Sequence, residues 1–160
     1  MLALVVLWLL LPPIVGSIDQ QPVWILALVA VLQGDLERAR VFTLDCLPVA
    51  VQVGYTFVTF FLLEVMATVA VGEGEAALAA RFLGAAEVAR AKSGEALEPH
   101  DHALWQRAVE TGCAQLGEAE WERAYQEGRG LPLQEALALA GAVAAEQAHR
   151  GEGAVVKRQP

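Results

Sequence analysis

The chain has few of the residues that nucleic-acid-binding surfaces require. Among its 160 residues there are 11 lysines and arginines against 19 acidic side chains, which gives a formal net charge of −8. Proteins that bind nucleic acids use clustered basic side chains to replace the counterions around phosphates. The sequence contains no such cluster, so we expect no direct contact with DNA or RNA.

Cysteine and serine are equally scarce. The two cysteines, Cys46 and Cys113, lie in apolar helical patterns without a CxxC motif, which favours reduced thiols over a disulfide or a metal site. The two serines, Ser17 and Ser93, lie outside any GxSxG turn, and no GxxxxGK[ST] phosphate loop occurs. The sequence therefore predicts neither a nucleophile nor a nucleotide site.

Histidine occurs three times, and only one cluster resembles a metal site. His100 and His102 flank Asp101, with Glu98 close by, but the pair lacks the i, i+4 spacing that places two ligands on one helical face. We interpret Asp101 as the N-cap of a helix over His102–Leu116, with both imidazoles in solvent. We accordingly expect no catalytic residue, no cofactor-binding residue, no metal ligand and no cofactor, and the chain is not predicted to be an enzyme.

Apolar residues make up 56 % of the chain and charged residues 19 %, a composition typical of packed helices rather than of disorder. The charges are unevenly distributed. Between Met1 and Gly72 the charged side chains are Asp19, Asp35, Glu37, Arg38, Arg40, Asp45 and Glu64. The first half thus has more apolar surface than a small soluble domain can bury, so it packs against a neighbour or meets lipid.

Two apolar stretches keep a membrane interpretation open. Met1–Val15 is uncharged but is interrupted by two prolines, well before the ~20 residues that a spanning helix needs. Tyr55–Val71 has 17 residues, but Glu64 lies in its middle, where a charge costs ~2.5–3.5 kcal/mol on insertion scales. The alternative is a small membrane-associated protein with a soluble helical tail, which would contact lipid through residues 1–15 and 55–71.

A repeat with an offset of 40 residues is the main positive signal. Ile25–Phe42 (ILALVAVLQGDLERARVF) and Val65–Phe82 (VMATVAVGEGEAALAARF) share 7 of 18 residues without a gap. A glycine tolerates the left-handed conformation in which many helices end, Asp35 is a good N-cap, and small alanines let antiparallel helices approach closely. The repeat positions to which we assign these structural roles are Gly34, Ala39, Phe42, Gly74, Ala79 and Phe82.

Each repeat unit reads as a helix hairpin that must stack on a neighbour to bury its faces. The period lies close to those of tetratricopeptide and HEAT-like repeats. We expect an all-α fold of antiparallel helix-hairpin repeats, the end of a tetratricopeptide-like α-solenoid. Pro48 should kink or end its helix near Leu44–Leu47. The predicted organisation is an apolar segment of uncertain role over 1–21, a helical-repeat domain over 22–149 and a frayed tail over 150–160.

The carboxyl-terminal half predicts four further helices, with Gly128 and Gly130 ending the third. The predicted helices are Ala76–Lys92, His102–Leu116, Glu118–Glu127 and Leu133–Gln147.

The same half carries a family resemblance. Ala79–Gly94 (AARFLGAAEVARAKSG) and Leu116–Ala140 (LGEAEWERAYQEGRGLPLQEALALA) resemble the carboxyl-terminal region of MalT-like and LuxR-type bacterial signal-transduction ATPases and transcriptional regulators. Tyr125 stands where that family often has tryptophan. The positions that match the family pattern are Arg81, Gly84, Glu87, Gly117, Tyr125, Gly128 and Arg129.

The resemblance implies a sensing and coupling role. In such regulators the repeat region receives an inducer or a partner protein and controls an ATPase and a DNA-binding domain, neither of which this sequence contains. It implies a cytoplasmic, non-catalytic module for protein–protein interaction or inducer sensing, from the carboxyl-terminal part of a larger bacterial regulator. The expected partner is a protein or a small-molecule inducer, and exposed solenoid ends also favour self-association.

Overall fold

The computed structural model describes residues 23–54, 56–94 and 99–143, and these residues are helical with short connections and no strand. The all-α prediction is therefore confirmed for this part of the chain. The segments predicted over 1–21 and 150–160 lie outside the described residues. The helices are α1 (Val23–Leu32), α2 (Leu36–Val53), α3 (Thr56–Gly72), α4 (Ala76–Ser93), α5 (Pro99–Leu116), α6 (Glu118–Gly130) and α7, which is helical over 133–143.

Two tight turns join α1 to α2 and α3 to α4, and they have the same geometry. Gly34 and Gly74 adopt left-handed backbone conformations with φ of 76° and 84°. After the first, the Asp35 N–H donates to the Ala30 carbonyl at 2.9 Å; forty residues later, the Glu75 N–H donates to the Ala70 carbonyl at 2.8 Å. A side chain would be strained at both glycines, so the sequence sets this reversal locally.

The helices that follow these turns also correspond. Both α2 and α4 have 18 residues, and each ends at a left-handed glycine, Gly54 with φ of 71° and Gly94 with φ of 74°. This second pair of glycines has the same offset of 40, and the alignment of Ile25–Phe42 with Val65–Phe82 stopped short of it. The structural correspondence therefore extends over a complete hairpin.

Helix α2 begins as predicted, but it does not end where predicted. The Asp35 carboxylate accepts a hydrogen bond from the Arg38 N–H at 3.1 Å, which caps the helix. The helix then continues through Pro48 to Val53. Of the predicted kink or end near Leu44–Leu47, the end is therefore wrong, and the kink stays a prediction. Pro48 lies on the exposed side of α2, where water can satisfy the carbonyl that a proline leaves without its usual N–H donor.

The third hairpin, α5–α6, differs from the prediction at the start of α5 and at the end of α6. Helix α5 begins at Pro99, so Asp101 lies inside the helix and is not its N-cap. Proline is favoured in the first helical turn because its φ is fixed near the helical value and no N–H is needed there. Helix α6 continues through Gly128 to Gly130, so Gly128 does not end it. Gly117, with φ of 87°, separates α5 from α6 as expected.

Helix α3 lies at the centre of the packing. It contacts α1, α2, α4 and α5, while α4 packs in addition on α5 and α6. From Thr59 to Val71 all its side chains except Thr68 are buried, although Thr68 is partly covered. This long apolar helix is thus enclosed by protein. None of the helices in the described ranges is long and apolar enough to cross a bilayer.

Candidate functional site

Six of the seven family-like positions meet where α4 crosses α6. Two glycines allow the close approach. A Cβ atom on Gly84 would overlap the Tyr125 carbonyl oxygen and lie 2.9 Å from the Arg129 nitrogen. A Cβ atom on Gly128 would overlap the Arg81 carbonyl oxygen and lie 2.6 Å from the Arg81 Cα. Each glycine therefore admits the backbone of the opposite helix, and no other residue fits at either position without displacing one helix.

Ion pairs flank the glycine contact on both sides. The Arg81 guanidinium donates to the Glu127 carboxylate at 2.7 and 2.9 Å, and the Arg129 Nε lies 3.2 Å from a Glu87 oxygen. The hydrogen bond from Arg81 lowers the pKa of Glu127. All four side chains remain about two-fifths exposed, so these pairs orient the two helices more than they stabilise them.

Tyr125 completes this contact and joins it to α5. Burial of the phenol, followed by the charge of Glu87 and a hydrogen bond with it, raises the pKa of Tyr125 well above its usual range. The ring of Tyr125 meets the Trp105 ring edge to face, with centroids 6.3 Å apart. Through Tyr125 this cluster joins α4, α5 and α6.

A buried ion pair links α3 to α4 and was missed by the sequence interpretation. Glu64 pairs with Arg90, and both side chains are more than nine-tenths buried. The Arg90 guanidinium also lies over the Phe60 ring, 4.3 Å from its centroid. The sequence identified Glu64 only as an obstacle to membrane insertion, because its partner is 26 residues away and belongs to another helix.

Of the repeat positions, the glycines lie in exposed turns, and the alanines and phenylalanines are buried with one difference between the two units. Ala39 and Ala79 are completely buried where the helices of each hairpin meet, and Phe82 is completely buried too. Phe42 is only partly buried. Arg40 pairs with Glu73 at 2.9 Å, and its side chain is mostly covered. This pair connects the second helix of one hairpin to the turn of the next.

The structure describes both thiols and one histidine of the predicted cluster. Both cysteines are free. Burial, with a smaller contribution from Asp45, raises the pKa of Cys46 to about 11, and burial also raises the pKa of the Cys113 thiol. Reactive cysteines need the opposite shift. His102 is exposed, whereas the side chains of His100 and Asp101 lie outside the description.

The described residues also contain no group of three His, Cys, Asp or Glu side chains arranged to hold a metal ion.

Among the described residues, the large apolar side chains that are exposed all lie on the first hairpin, α1–α2. They are Leu26, Leu32, Val41, Val49 and Val51. Their counterparts forty residues later are more deeply covered at two positions. Leu26 is 39 % exposed against 0 % for Met66, and Val49 is 58 % exposed against 4 % for Ala89. These exposed apolar side chains all belong to α1 and α2, which makes this hairpin a candidate interaction region.

Comparisons with protein-family models, with curated proteins and with solved structures found no match to this chain.

Proposed function

We propose that the chain is a non-catalytic helical-repeat module that binds another protein. The observation that carries the proposal is the open apolar surface of α1 and α2, which contrasts with the covered surface of the equivalent hairpin α3–α4. A partner protein that packs on this surface would remove its apolar side chains from water, and that burial drives most protein association.

The packing order of the helices supports a tetratricopeptide-like solenoid as the architecture. Three successive hairpins, α1–α2, α3–α4 and α5–α6, each contact the next one along the chain. Stacked hairpins of this kind bury their faces against neighbours, as each described hairpin does against the next. The matched turns at Gly34 and Gly74 support a repeat of one structural unit.

The larger context is part of the same proposal. We infer a cytoplasmic, carboxyl-terminal module of a MalT-like or LuxR-type bacterial regulator, in which the repeats receive a signal and pass it on. The support is the resemblance over Ala79–Ala140 together with the convergence of its motif positions where α4 crosses α6. These residues hold helices together, so they support the architecture and do not define what is sensed.

The exposed apolar side chains of α1 and α2 favour a protein partner over a small-molecule inducer. One cavity of about 270 Å³ lies between α4 and the start of α7. It is smaller than the ~300–1,000 Å³ typical of ligand sites. Its lining consists of Ala85, Val88, Ala89, Lys92, Ser93, Leu131 and Leu133. Lys92 and Ser93 are exposed at its edge, so few polar groups converge on its interior.

Site-specific photo-crosslinking tests this function. A photoreactive amino acid replaces Val49 in the full chain, expressed in the organism that encodes it, and the matched control replaces Glu122, an exposed residue of α6. We expect a discrete protein adduct from position 49 and a weak, diffuse pattern from position 122. Adducts to lipid alone at position 49, or the same pattern at both positions, would contradict the proposal.

A further inference from the structure

The outward face of α2 carries apolar and charged side chains in one stripe. At 3.6 residues per turn, six of the exposed residues of α2 fall within an arc of about 100°. These six residues, which we call the outer stripe, are Arg38, Val41, Asp45, Pro48, Val49 and Gln52. Val41, between the two charges, is 44 % exposed. The outer stripe thus places one cation and one anion on either side of an exposed apolar residue.

Pro48 adds a hydrogen-bond acceptor to the outer stripe. A proline has no N–H, so the Leu44 carbonyl, four residues earlier in α2, lacks its usual helical donor. The next residue is Asp45, which has no ion pair with another described residue. A carboxylate beside a backbone carbonyl without its helical donor suits a guanidinium, because that group has five N–H donors.

Arg38 is the cation of the outer stripe, and it is held only loosely. Its side chain is 71 % exposed, and its ion pair with Asp35 spans 3.5 Å. An exposed pair of this kind contributes little to stability, so Arg38 can exchange it for another carboxylate. Within one helix Arg38 and Asp45 are not neighbours, because seven residues correspond to a rise of about 10 Å. A second copy of α2 can bring the two charges together.

An antiparallel second copy matches the outer stripe to itself. When Arg38 lies opposite Asp45 of the second copy, the twofold symmetry repeats this pair, and Val41 lies next to its own counterpart at the axis. Toward both ends, Val49 then lies opposite the α1–α2 turn, where Leu32 is 60 % exposed. A single register therefore sets opposite charges against each other and brings exposed apolar side chains together.

We propose that the partner of the first hairpin is a second copy of this chain, and that the two copies pair through antiparallel α2 helices. This inference rests on the proposed interaction function and names its partner. Each copy contributes mainly one helical stripe, so the interface is small and we expect a dissociation constant in the micromolar range. The purified chain should therefore be monomeric at nanomolar concentration, where position 49 is open to solvent.

Charge reversal tests the register, with the dissociation constant of the dimer measured by sedimentation of the full chain. Arg38→Glu sets two carboxylates against each other at both symmetric positions, so the dissociation constant should rise at least ~10-fold. Asp45→Arg should have the same effect. The double variant Arg38→Glu/Asp45→Arg inverts the pair and should return to within about threefold of the wild type. Arg107→Glu, at an exposed cation of α5, is the matched control and should change nothing.

A cysteine at the twofold axis tests the same register without changing a charge. Mild oxidation should join two Val41→Cys chains by a disulfide, because position 41 meets its own counterpart. Two Val49→Cys chains should stay separate, since in this register their substituted positions lie roughly 20 Å apart along the helix axis. The native cysteines give little background, because burial raises the pKa of both thiols. Equal disulfide formation at positions 41 and 49 would overturn the register.

The outcomes separate this inference from the proposed function. A purified chain that stays monomeric at about 100 µM would overturn the second copy, as would a double variant that associates no better than Arg38→Glu. If position 49 then crosslinks to a different protein, the interaction function stands without this partner. An adduct with the mass of two chains, together with recovery in the double variant, supports both. A monomeric chain without a protein adduct overturns both.

Discussion

The hairpins α1–α2 and α3–α4 have the same turns and different surfaces. Their glycines at 34 and 74 share one backbone geometry, and their second helices have the same length. Yet Val49 is open to solvent where its counterpart Ala89 is covered. Local sequence therefore determines the turn and the helix lengths of a hairpin, whereas the neighbouring helices determine which of its faces are buried. A surface left open by one copy of a repeated unit is therefore a candidate for binding.

The buried pair Glu64–Arg90 exists in only one hairpin, since Trp24 and Ala50 occupy the equivalent positions forty residues earlier. Glu64→Leu should lower the free energy of unfolding by about 3–5 kcal/mol, because the Arg90 guanidinium stays buried after it loses this carboxylate. Urea denaturation measures the change. The double variant Glu64→Leu/Arg90→Met should recover most of the loss; a double variant as unstable as the single one would exclude the ion pair as the cause.

The crossing of α4 and α6 has no counterpart on α2, where Leu44 stands at the position equivalent to Gly84. Gly128→Ala should destabilise the chain by about 3 kcal/mol, because the new methyl group overlaps the Arg81 backbone, which cannot move independently of α4. Gly130→Ala is the control, since its Cβ would enter open space. Thermal or urea unfolding that shows equal effects of both substitutions would contradict the close contact.

The equivalent positions 49 and 89 allow the two surfaces to be compared with one substitution. Ala89→Asp should cost about 2 kcal/mol of stability because it buries a charge, whereas Val49→Asp should change stability by less than about 0.5 kcal/mol. With the photoreactive amino acid at the exposed position 41 instead of 49, Val49→Asp should abolish the protein adduct expected from the first hairpin. If both substitutions destabilise the fold equally, the surface of α2 is not open.

The smallest effects are expected at the two matched turns, where equivalent glycines can be substituted in the same way. Gly34→Ala and Gly74→Ala should each lower stability by about 1 kcal/mol, since both place a Cβ in a left-handed conformation without meeting another atom. Chemical denaturation of the two variants should therefore give changes that agree within about 0.5 kcal/mol. A much larger loss at one turn would show that the two hairpins do not share a common local design.

The sequence predicted what depends on neighbouring residues. The reversal at Gly34 and Gly74, the Asp35 cap and the break at Gly117 all follow from local backbone preferences, and each is present. Pro48 shows the limit of such reasoning. A proline removes one helical hydrogen bond, but α2 packs on α1 and α3 and continues through Pro48.

The sequence could not supply what depends on distant contacts. Gly128 reads locally as a helix end, and only the approach of Arg81 from α4 explains why glycine is needed inside α6. In the same way, nothing near Glu64 in sequence indicates Arg90. At the α4–α6 crossing, the resemblance singled out Gly84 and Gly128, but only the three-dimensional arrangement shows that they admit the backbone of the opposite helix.

The proposed function requires that a protein cover the first hairpin, α1–α2, in the cell. Val49→Cys in the full chain measures this through its alkylation rate, with Glu122→Cys as the control and with little background from the native cysteines, whose pKa values are raised. We predict that position 49 reacts rapidly in the purified chain and is protected in intact cells, while position 122 reacts equally in both. Equal reactivity of position 49 in purified protein and in cells would contradict the proposal that α1 and α2 form an interaction surface.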